Sequence, residues 1–277
     1  MTQSIESSDG VRVALHDLGG DGPPLLFLHA TGFHGRCYQQ VANHLHDDFH
    51  VWAPDLRGHG DSETPDMALP WAGACDDALA VIDHLGGGPV YGCGHSMGGA
   101  TVLAAELRRP GTVRAAWLFE PIVFPGDDGE FKRRENPLAA VARKRRADFG
   151  SMDEAIESYT GRGPFADWDP AVLRDYVEHG FRPTEHGVTL KTTPENEGRT
   201  FDGIDLSVFG RLGDVSTPVT IVGSTDGFPP AQVAPVVAEH LPTARLDIWE
   251  TNTHMGPFED PARAAAEIRA AFLGGEA

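Results

Sequence analysis

Cysteine is scarce in this sequence, where Cys37, Cys75 and Cys93 are the three copies among 277 residues. Their odd number and wide spacing give neither a zinc-site pattern nor a disulfide framework. The sequence also lacks an apolar run long enough to span a bilayer. Its first residues lack the basic start and apolar stretch of a secretory signal peptide. We therefore expect no metal, no membrane segment and a reducing, cytoplasmic location.

Basic residues are also in short supply, with 22 Lys and Arg against 41 Asp and Glu and a formal net charge of −19. A strongly acidic protein is repelled by nucleic acids and by anionic membrane surfaces, so we expect neither as a partner. A chain of 277 residues suits one large α/β domain, or such a domain with an insertion.

The most informative stretch, at residues 90–103, reads VYGCGHSMGGATVL and contains a Gly-x-Ser-x-Gly pentapeptide centred on Ser96. The apolar residues before it predict a buried strand, and the Ala- and Leu-rich residues after it predict a helix. This is the context of a nucleophile elbow, in which a strained turn exposes the serine hydroxyl. Gly94 and Gly98 would remove Cβ atoms where strand and helix come close. Ser96 is therefore the candidate nucleophile.

Short apolar runs alternate with helical patterns through most of the chain. After a predicted hairpin around Asp9-Gly10, they occur at residues 25–28, 49–54, 89–93, 115–119, 218–223 and 245–249. Such alternation is typical of a mostly parallel sheet covered by helices on both faces. We expect an α/β fold with eight strands.

The alternation stops between residues 122 and 208, where helical patterns dominate and no convincing buried strand is found. We interpret this segment as a helical cap inserted into a core formed by residues 1–121 and 209–277. The basic run at residues 143–146 is interpreted as a solvated helix face. The aromatic residues that could face a substrate or pack within the cap are Phe124, Phe131, Tyr159, Phe165, Trp168, Tyr176 and Phe181.

A serine nucleophile needs a base, usually histidine, and the histidine needs a carboxylate partner. His254 lies in the loop after the last predicted strand, and Asp226 follows the preceding strand. The backbone N–H groups of Thr31 and Met97 are candidates for the oxyanion hole. His59 could be a base in principle, but it precedes Ser96, so we favour a structural role for its loop.

These motifs together resemble the α/β-hydrolase superfamily over essentially the whole chain. The matching pieces are the His29 loop, DLRGHGDS at residues 55–62, GHSMGG at 94–99, Gly223-x-x-Asp226 and His254. The resemblance implies a Ser–His–acid triad, a helical cap after the sixth strand and no metal or organic cofactor. The sequence departs from the usual His-Gly at His29-Ala30, so the oxyanion loop could be shaped differently.

The triad acid is open between two carboxylates. Some members of the superfamily, including zearalenone-type lactonases, take the acid from the end of the sixth strand, where Glu120 lies in this sequence. A buried carboxylate there is costly without a partner, and His254 would supply one. We favour Asp226 and keep Glu120 as the alternative.

The resulting hypothesis is a serine hydrolase of the carboxylesterase or lactonase type that cleaves a small, largely apolar ester or lactone through an acyl-enzyme. Serine at the elbow argues against the haloalkane dehalogenase and epoxide hydrolase branches, which use aspartate. The alternatives are a carbon–carbon bond hydrolase with the same triad and a ligand-sensing regulator with little turnover. We expect a monomer or homodimer, with substrate contacts from Phe33, His95, Phe124 and Trp168.

Overall fold

The structure is a computed structural model that describes residues 1–66, 68–125, 136–204 and 207–274. Phe131 and parts of the predicted cap lie outside these residues. The chain begins with a hairpin of β1 (Thr2–Glu6) and β2 (Arg12–Gly19), joined through a 3₁₀ turn at Ser8–Gly10. The two strands pair antiparallel, as the Asp9-Gly10 turn predicts.

The other strands of the described residues complete a large sheet and a small one. They are β3 (Pro24–Leu28), β4 (His50–Pro54), β5 (Val90–His95), β6 (Val113–Phe119), β7 (Asp148–Phe149), β8 (Phe181–Thr184), β9 (Gly187–Leu190), β10 (Val219–Ser224) and β11 (Ala244–Trp249). The large sheet has eight strands in the order β1-β2-β4-β3-β5-β6-β10-β11. Apart from β1 and β2, its strands run parallel to one another, which confirms the predicted mostly parallel sheet.

Helices cover both faces of this sheet. The helices in the described residues are α1 (Gln39–Asn43), α2 (Trp71–His84), α3 (Met97–Arg108), α4 (Pro137–Ala142), α5 (Met152–Tyr159), α6 (Pro170–Gly180), α7 (Pro194–Asp202), α8 (Pro229–His240), α9 (Gly256–Glu259) and α10 (Pro261–Leu273). Successive residues of β6 point to opposite faces, so Trp117 packs with α1 and α10 and Leu118 with α2, α3 and α8. Burial on both faces explains why these strands are continuous apolar runs rather than alternating ones.

The helices of the described ranges include none with the length and apolar character needed to cross a lipid bilayer.

The segment between β6 and β10 is less helical than the sequence predicts. It contains a three-stranded antiparallel sheet in the order β7-β9-β8, so the expectation that it lacks strands is wrong. The basic run at residues 143–146 lies beyond the end of α4, and the chain then turns into β7. Ser151 is the N-cap residue of α5, and its hydroxyl accepts the Glu154 N–H at 3.1 Å.

This inserted segment, described here over residues 136–204, packs against loops at the carboxyl ends of the parallel strands. The N–H of Asp169 donates to the carbonyl of Phe258 at 2.9 Å. His34, in the loop after β3, donates from Nε2 to the carbonyl of Tyr176 at 3.1 Å. The basic run is only partly a solvated face, because Arg145 turns inward and binds Glu197 at 2.8 Å.

Candidate active site

Ser96 lies at the sharp turn between β5 and α3. Its φ of 57° and ψ of −116° are rare for a residue with a side chain. The turn depends on glycine, because a Cβ on Gly98 would lie 2.0 Å from the carbonyl oxygen of Leu28. A Cβ on Gly94 would lie 2.6 Å from the backbone of Gly98. The local geometry is therefore that of the predicted nucleophile elbow.

Glu120 occupies the equivalent position on the neighbouring strand. β5 and β6 are parallel with His95 opposite Phe119, so Ser96 and Glu120 each lie one residue beyond the paired strands. Glu120 is fully buried and has a φ of 42°. Its Oε2 atom lies 2.6 Å from Nδ1 of His254, and its Oε1 atom accepts the N–H of Ser224 at 2.6 Å. Both oxygens of this buried carboxylate are therefore paired with donors.

Asp226 contacts the same histidine in a different way. Its Oδ2 atom accepts the backbone N–H of His254 at 2.8 Å, and its Oδ1 atom accepts the N–H of Phe228 at 2.8 Å. The expected pairing of Asp226 with the imidazole is thus not the observed arrangement. The reason is that Asp226 lies beyond the end of β10, where it reaches the backbone of the histidine loop, whereas Glu120 lies beneath the ring.

His254 is held so that one ring nitrogen is left for the serine. Because a carboxylate only accepts, Nδ1 carries the proton and donates to Glu120, which leaves Nε2 as the acceptor in the neutral ring. Within the described residues, Ser96 Oγ and Nε2 form no hydrogen bond. Such contacts are often long before substrate binds and tighten in the complex. The structure thus brings Ser96, His254 and Glu120 to one edge of the sheet.

Thr31 and Met97 face each other across the elbow, with the Thr31 hydroxyl donating to the Met97 sulfur at 3.4 Å. Neither backbone N–H donates a hydrogen bond to any group in the described residues, although both residues are buried. The next N–H, that of Gly32, is already taken by Nε2 of His59 at 3.1 Å. Unpaired buried donors are rare, so this pair is suited to a developing oxyanion.

His59 and His29 hold the loops around these donors. His59 donates from Nδ1 to the carbonyl of Arg57 at 3.1 Å, and the Leu56 N–H donates to Nε2 of His29 at 2.9 Å. Burial lowers the pKa of His59, and burial together with the neighbouring His59 lowers the pKa of His29 to about 3. Both imidazole rings are therefore neutral and hold the surrounding loops through hydrogen bonds to their backbone. This agrees with the structural role expected for the His59 loop.

His95, which is expected from the sequence to contact the substrate, lies in the interior of the fold against the histidine loop. Its ring is completely buried, with Nδ1 at 3.0 Å from the hydroxyl of Tyr38 and Nε2 at 2.8 Å from the carbonyl of His254. The residue before an elbow serine points back into the fold, because alternate residues of a strand face opposite sides.

The three aromatic candidates for substrate contact differ in their surroundings. Phe33 and Trp168 are buried against each other, with ring centroids 5.5 Å apart, at the junction of the oxyanion loop and the inserted segment. Phe124 is partly buried and packs against the core cluster that contains Met97. The indole N–H of Trp168 has no hydrogen-bond partner in the described residues.

A groove with a volume of about 560 Å³ reaches His254 from the surface. The inserted segment forms one wall through residues 163–167, and the loops after β10 and β11 form the other. Phe228 lies at its edge, with its ring centroid 5.6 Å from that of His254. The groove therefore offers an approach to the histidine between the inserted segment and the core.

Another group with ligand-type side chains is His16, Asp55 and Asp61, whose donor atoms lie within 4.8 Å of one another. Asp55 binds Nε2 of His16 at 3.0 Å and accepts the N–H of Gly35 at 2.8 Å. Asp61 forms an ion pair with Lys191 at 2.7 Å. Hydrogen bonds and a lysine thus account for these carboxylates without a metal ion.

Comparisons with known proteins give the family and the fold to which this chain is similar. The family model described as "Alpha/beta hydrolase family" matches residues 25–268. Lipase LipV of Mycobacterium tuberculosis is 38% identical over 158 residues, which span 56% of this chain and 56% of that lipase. A 2-(acetamidomethylene)succinate hydrolase of Mesorhizobium japonicum is 28% identical over 210 residues, 73% of this chain and 70% of that enzyme. A crystal structure of E-2-(acetamidomethylene)succinate hydrolase superposes with a TM-score of 0.80, 21% identity and 97% of each chain covered.

Proposed function

The chain belongs to the α/β-hydrolase family, and from this premise we propose that it is a serine hydrolase that cleaves a carboxylic ester or lactone through an acyl-enzyme. The observation that carries the proposal is the 2.6 Å contact between Glu120 and Nδ1 of His254, beside a serine in the strained elbow conformation. These are the parts needed to activate a hydroxyl at neutral pH.

In the proposed mechanism, Nε2 of His254 takes the proton of Ser96 as the hydroxyl attacks the substrate carbonyl. Glu120 holds the imidazole in the required tautomer and stabilises the imidazolium that forms. The N–H groups of Thr31 and Met97 donate to the oxyanion of the tetrahedral intermediate. His254 then protonates the leaving alcohol, and the same steps with water release the acid.

The inserted segment is proposed to act as the cap of this site. Its residues 163–167 form one wall of the groove that leads to His254, and Trp168 packs on Phe33 of the oxyanion loop. The apolar residues of the groove, among them Pro164, Phe228 and Met255, would contact the apolar part of a small substrate, while Asp167, Asp226 and Glu259 lie in the same lining. The core would then comprise residues 1–121 and 209–277, and the cap residues 122–208.

The test is hydrolysis of 4-nitrophenyl esters and lactones by the wild type and by Ser96→Ala, Glu120→Gln and Asp226→Asn. The proposal predicts that Ser96→Ala removes turnover and that Glu120→Gln lowers it far more than Asp226→Asn does. Turnover that survives Ser96→Ala would rule the mechanism out. A folded wild type that cleaves neither class would instead direct attention to carbon–carbon substrates or to a ligand-sensing role.

A second candidate substrate class carries a carboxylate. Relatives similar to this chain are named as hydrolases of substituted succinates, which are anionic at neutral pH. In this chain the inward-facing Arg145 lies over the rings of Tyr159, Phe165 and Tyr176 at 5.8 to 5.9 Å and pairs with Glu197. Glu197 in turn lies against Gly32 of the oxyanion loop.

Comparing mono-4-nitrophenyl succinate with 4-nitrophenyl acetate separates the two classes. If the site takes anionic substrates, the succinate ester has the higher kcat/KM, and Arg145→Leu removes that advantage while sparing the acetate. If the ratio of kcat/KM for the two esters is the same in the wild type and in Arg145→Leu, the apolar substrate class is favoured.

A further inference from the structure

His254 is connected to the oxyanion loop by a chain of buried hydrogen bonds that the proposed mechanism does not use. The N–H of Ala30 lies 3.4 Å from the hydroxyl of Tyr38, and that hydroxyl lies 3.0 Å from Nδ1 of His95. The other ring nitrogen of His95 lies 2.8 Å from the carbonyl oxygen of His254. We call these four residues the Tyr38–His95 chain.

The direction of each hydrogen bond follows from the donors and acceptors available. The carbonyl of His254 can only accept, so Nε2 of His95 carries the proton. Burial lowers the pKa of His95 well below its usual value, which keeps the ring neutral and makes Nδ1 an acceptor. Burial also raises the pKa of Tyr38 well above its usual value, so its hydroxyl stays protonated and donates to His95. The same hydroxyl oxygen accepts the Ala30 N–H.

The side chains of Tyr38 and His95 are also held in place by packing. Tyr38 stacks on Phe27 with ring centroids 4.0 Å apart, and the His95 ring meets those of Phe258 and His254 edge-on at 5.3 and 5.0 Å. Tyr38 and His95 are both fully buried. Neither side chain can therefore rotate to another partner without leaving buried polar atoms unpaired.

His254 is held by three separate hydrogen bonds. Glu120 holds its ring, Asp226 holds its N–H, and His95 holds its carbonyl. The last contact differs from the others because it continues through Tyr38 to Ala30, the residue before the oxyanion donor Thr31. The proton-transfer group and the oxyanion donors act on the same substrate carbonyl, so their relative position must be held within a fraction of an ångström.

We propose that Tyr38 and His95 are positioning residues that set the distance between His254 and the oxyanion loop around Ser96. The proposal rests on the serine hydrolase function proposed above. It assigns a role to His95, the residue before the nucleophile, through its contact with the backbone of the histidine loop. Loss of the chain should therefore slow the chemical steps and leave binding of a small ester nearly unchanged.

The test compares Tyr38→Phe, His95→Leu and His95→Gln with the wild type and with Tyr91→Phe as a matched control. Tyr91 lies on the same strand as His95, and its hydroxyl makes no hydrogen bond within the described residues. A fluorophosphonate probe counts reactive Ser96 in each preparation, circular dichroism confirms folding, and kcat and KM for 4-nitrophenyl acetate are expressed per reactive serine.

We expect Tyr38→Phe to lower kcat about tenfold and His95→Leu about a hundredfold, with KM within about twofold of the wild type. His95→Gln should recover much of the loss, because its amide offers one donor and one acceptor. Since the two residues act through one chain, Tyr38→Phe should slow His95→Leu no further. Tyr91→Phe should match the wild type.

A normal kcat per reactive serine in folded Tyr38→Phe or His95→Leu, a His95→Gln variant no faster than His95→Leu, or losses that add in the double variant, would overturn the positioning role. If His95→Leu does not fold, Tyr38→Phe decides the matter, because it removes the hydroxyl in the middle of the Tyr38–His95 chain. A wild-type Ser96 that does not react with the probe would overturn the proposed hydrolase function itself, and the positioning role with it. If Ser96 of the wild type reacts with the probe and the Tyr38→Phe and His95→Leu variants turn over as fast as the wild type, the positioning role alone is overturned.

Discussion

The carboxylate of Glu120 lies 2.6 Å from Nδ1 of His254, at the bottom of the site and out of contact with solvent. Asp226, by contrast, is bonded to the backbone N–H of the same histidine. The two acidic residues thus hold different parts of one residue, and their substitution should have different consequences.

We predict that Glu120→Gln lowers kcat/KM for 4-nitrophenyl acetate by about 10³- to 10⁴-fold, because the amide neither fixes the correct tautomer nor stabilises the imidazolium. Asp226→Asn retains an acceptor for the backbone N–H and should lose only about tenfold or less. Steady-state kinetics on folded proteins measures both values. A larger loss in Asp226→Asn than in Glu120→Gln would reverse the assignment.

The elbow glycines give a prediction about stability. Gly98→Ala would place a Cβ 2.0 Å from the carbonyl oxygen of Leu28, a backbone atom that cannot move aside. We expect a loss of at least about 3 kcal/mol in the free energy of unfolding. Gly88→Ala is the control, because its Cβ would meet nothing within 4 Å. Urea unfolding of both proteins tests this, and an unaffected Gly98→Ala would contradict the elbow geometry.

The buried ion pair between Arg57 and Asp77 predicts a second stability effect. Their closest atoms are 2.7 Å apart, and their side chains are 5% and 0% exposed. Asp77→Ala leaves the guanidinium without its buried partner and should cost about 3–5 kcal/mol. Asp83→Ala breaks the exposed pair with Arg109 and should change stability by less than about 1 kcal/mol. Thermal or urea unfolding that gives equal losses would show that burial does not control this pair.

Stability should fall in acid because neutral histidines are buried. Burial lowers the pKa of His34 from 6.5 to about 4. The unfolded chain therefore binds the proton first as the pH falls below 6.5, and stability present above that pH is lost down to about 4. The slope contributed by one proton is at most about 1.4 kcal/mol per pH unit.

Replacing His34 tests this dependence. His34→Gln keeps a donor for the Tyr176 carbonyl but cannot take up a proton. Between pH 6 and pH 4.5, its free energy of unfolding should decline less steeply with falling pH than that of the wild type. The difference in slope should correspond to the uptake of at most about one proton on unfolding. The two proteins should show parallel pH dependence above pH 7. Identical slopes in the acid range would contradict the shift.

The sequence predicts the sheet and the strand–helix turn at Ser96, because those features depend on local patterns and on the order of the strands. The contact expected between Asp226 and the ring of His254 is not the one observed, because it depends on where side chains point after the strands end. Glu120 lies beneath His254 because its backbone has a positive φ, and no pattern in the sequence predicts this conformation. The buried hydrogen bonds of His95 cannot be foreseen from local patterns, because its partners, Tyr38 and His254, lie far away in sequence.

The inserted segment is harder to predict for a related physical reason. Its strands β7, β8 and β9 have two to four residues, and β8 contains Pro183, so they lack the long apolar runs of the main sheet. The charge pattern predicts a solvent-exposed Arg145 beside its basic neighbours, but its side chain is largely buried in an ion pair with Glu197. A charge partner 52 residues away cannot be recognised from local charge patterning.

The central claim is that Ser96 carries the acyl group during turnover. Rapid mixing with 4-nitrophenyl acetate, acid quench and peptide mass mapping measure this directly. The account predicts a burst of one nitrophenol per chain and an acetyl group on the peptide that contains Ser96, with neither in Ser96→Ala. Steady hydrolysis with no acetylated Ser96, or with the acetyl group on another residue, would contradict it.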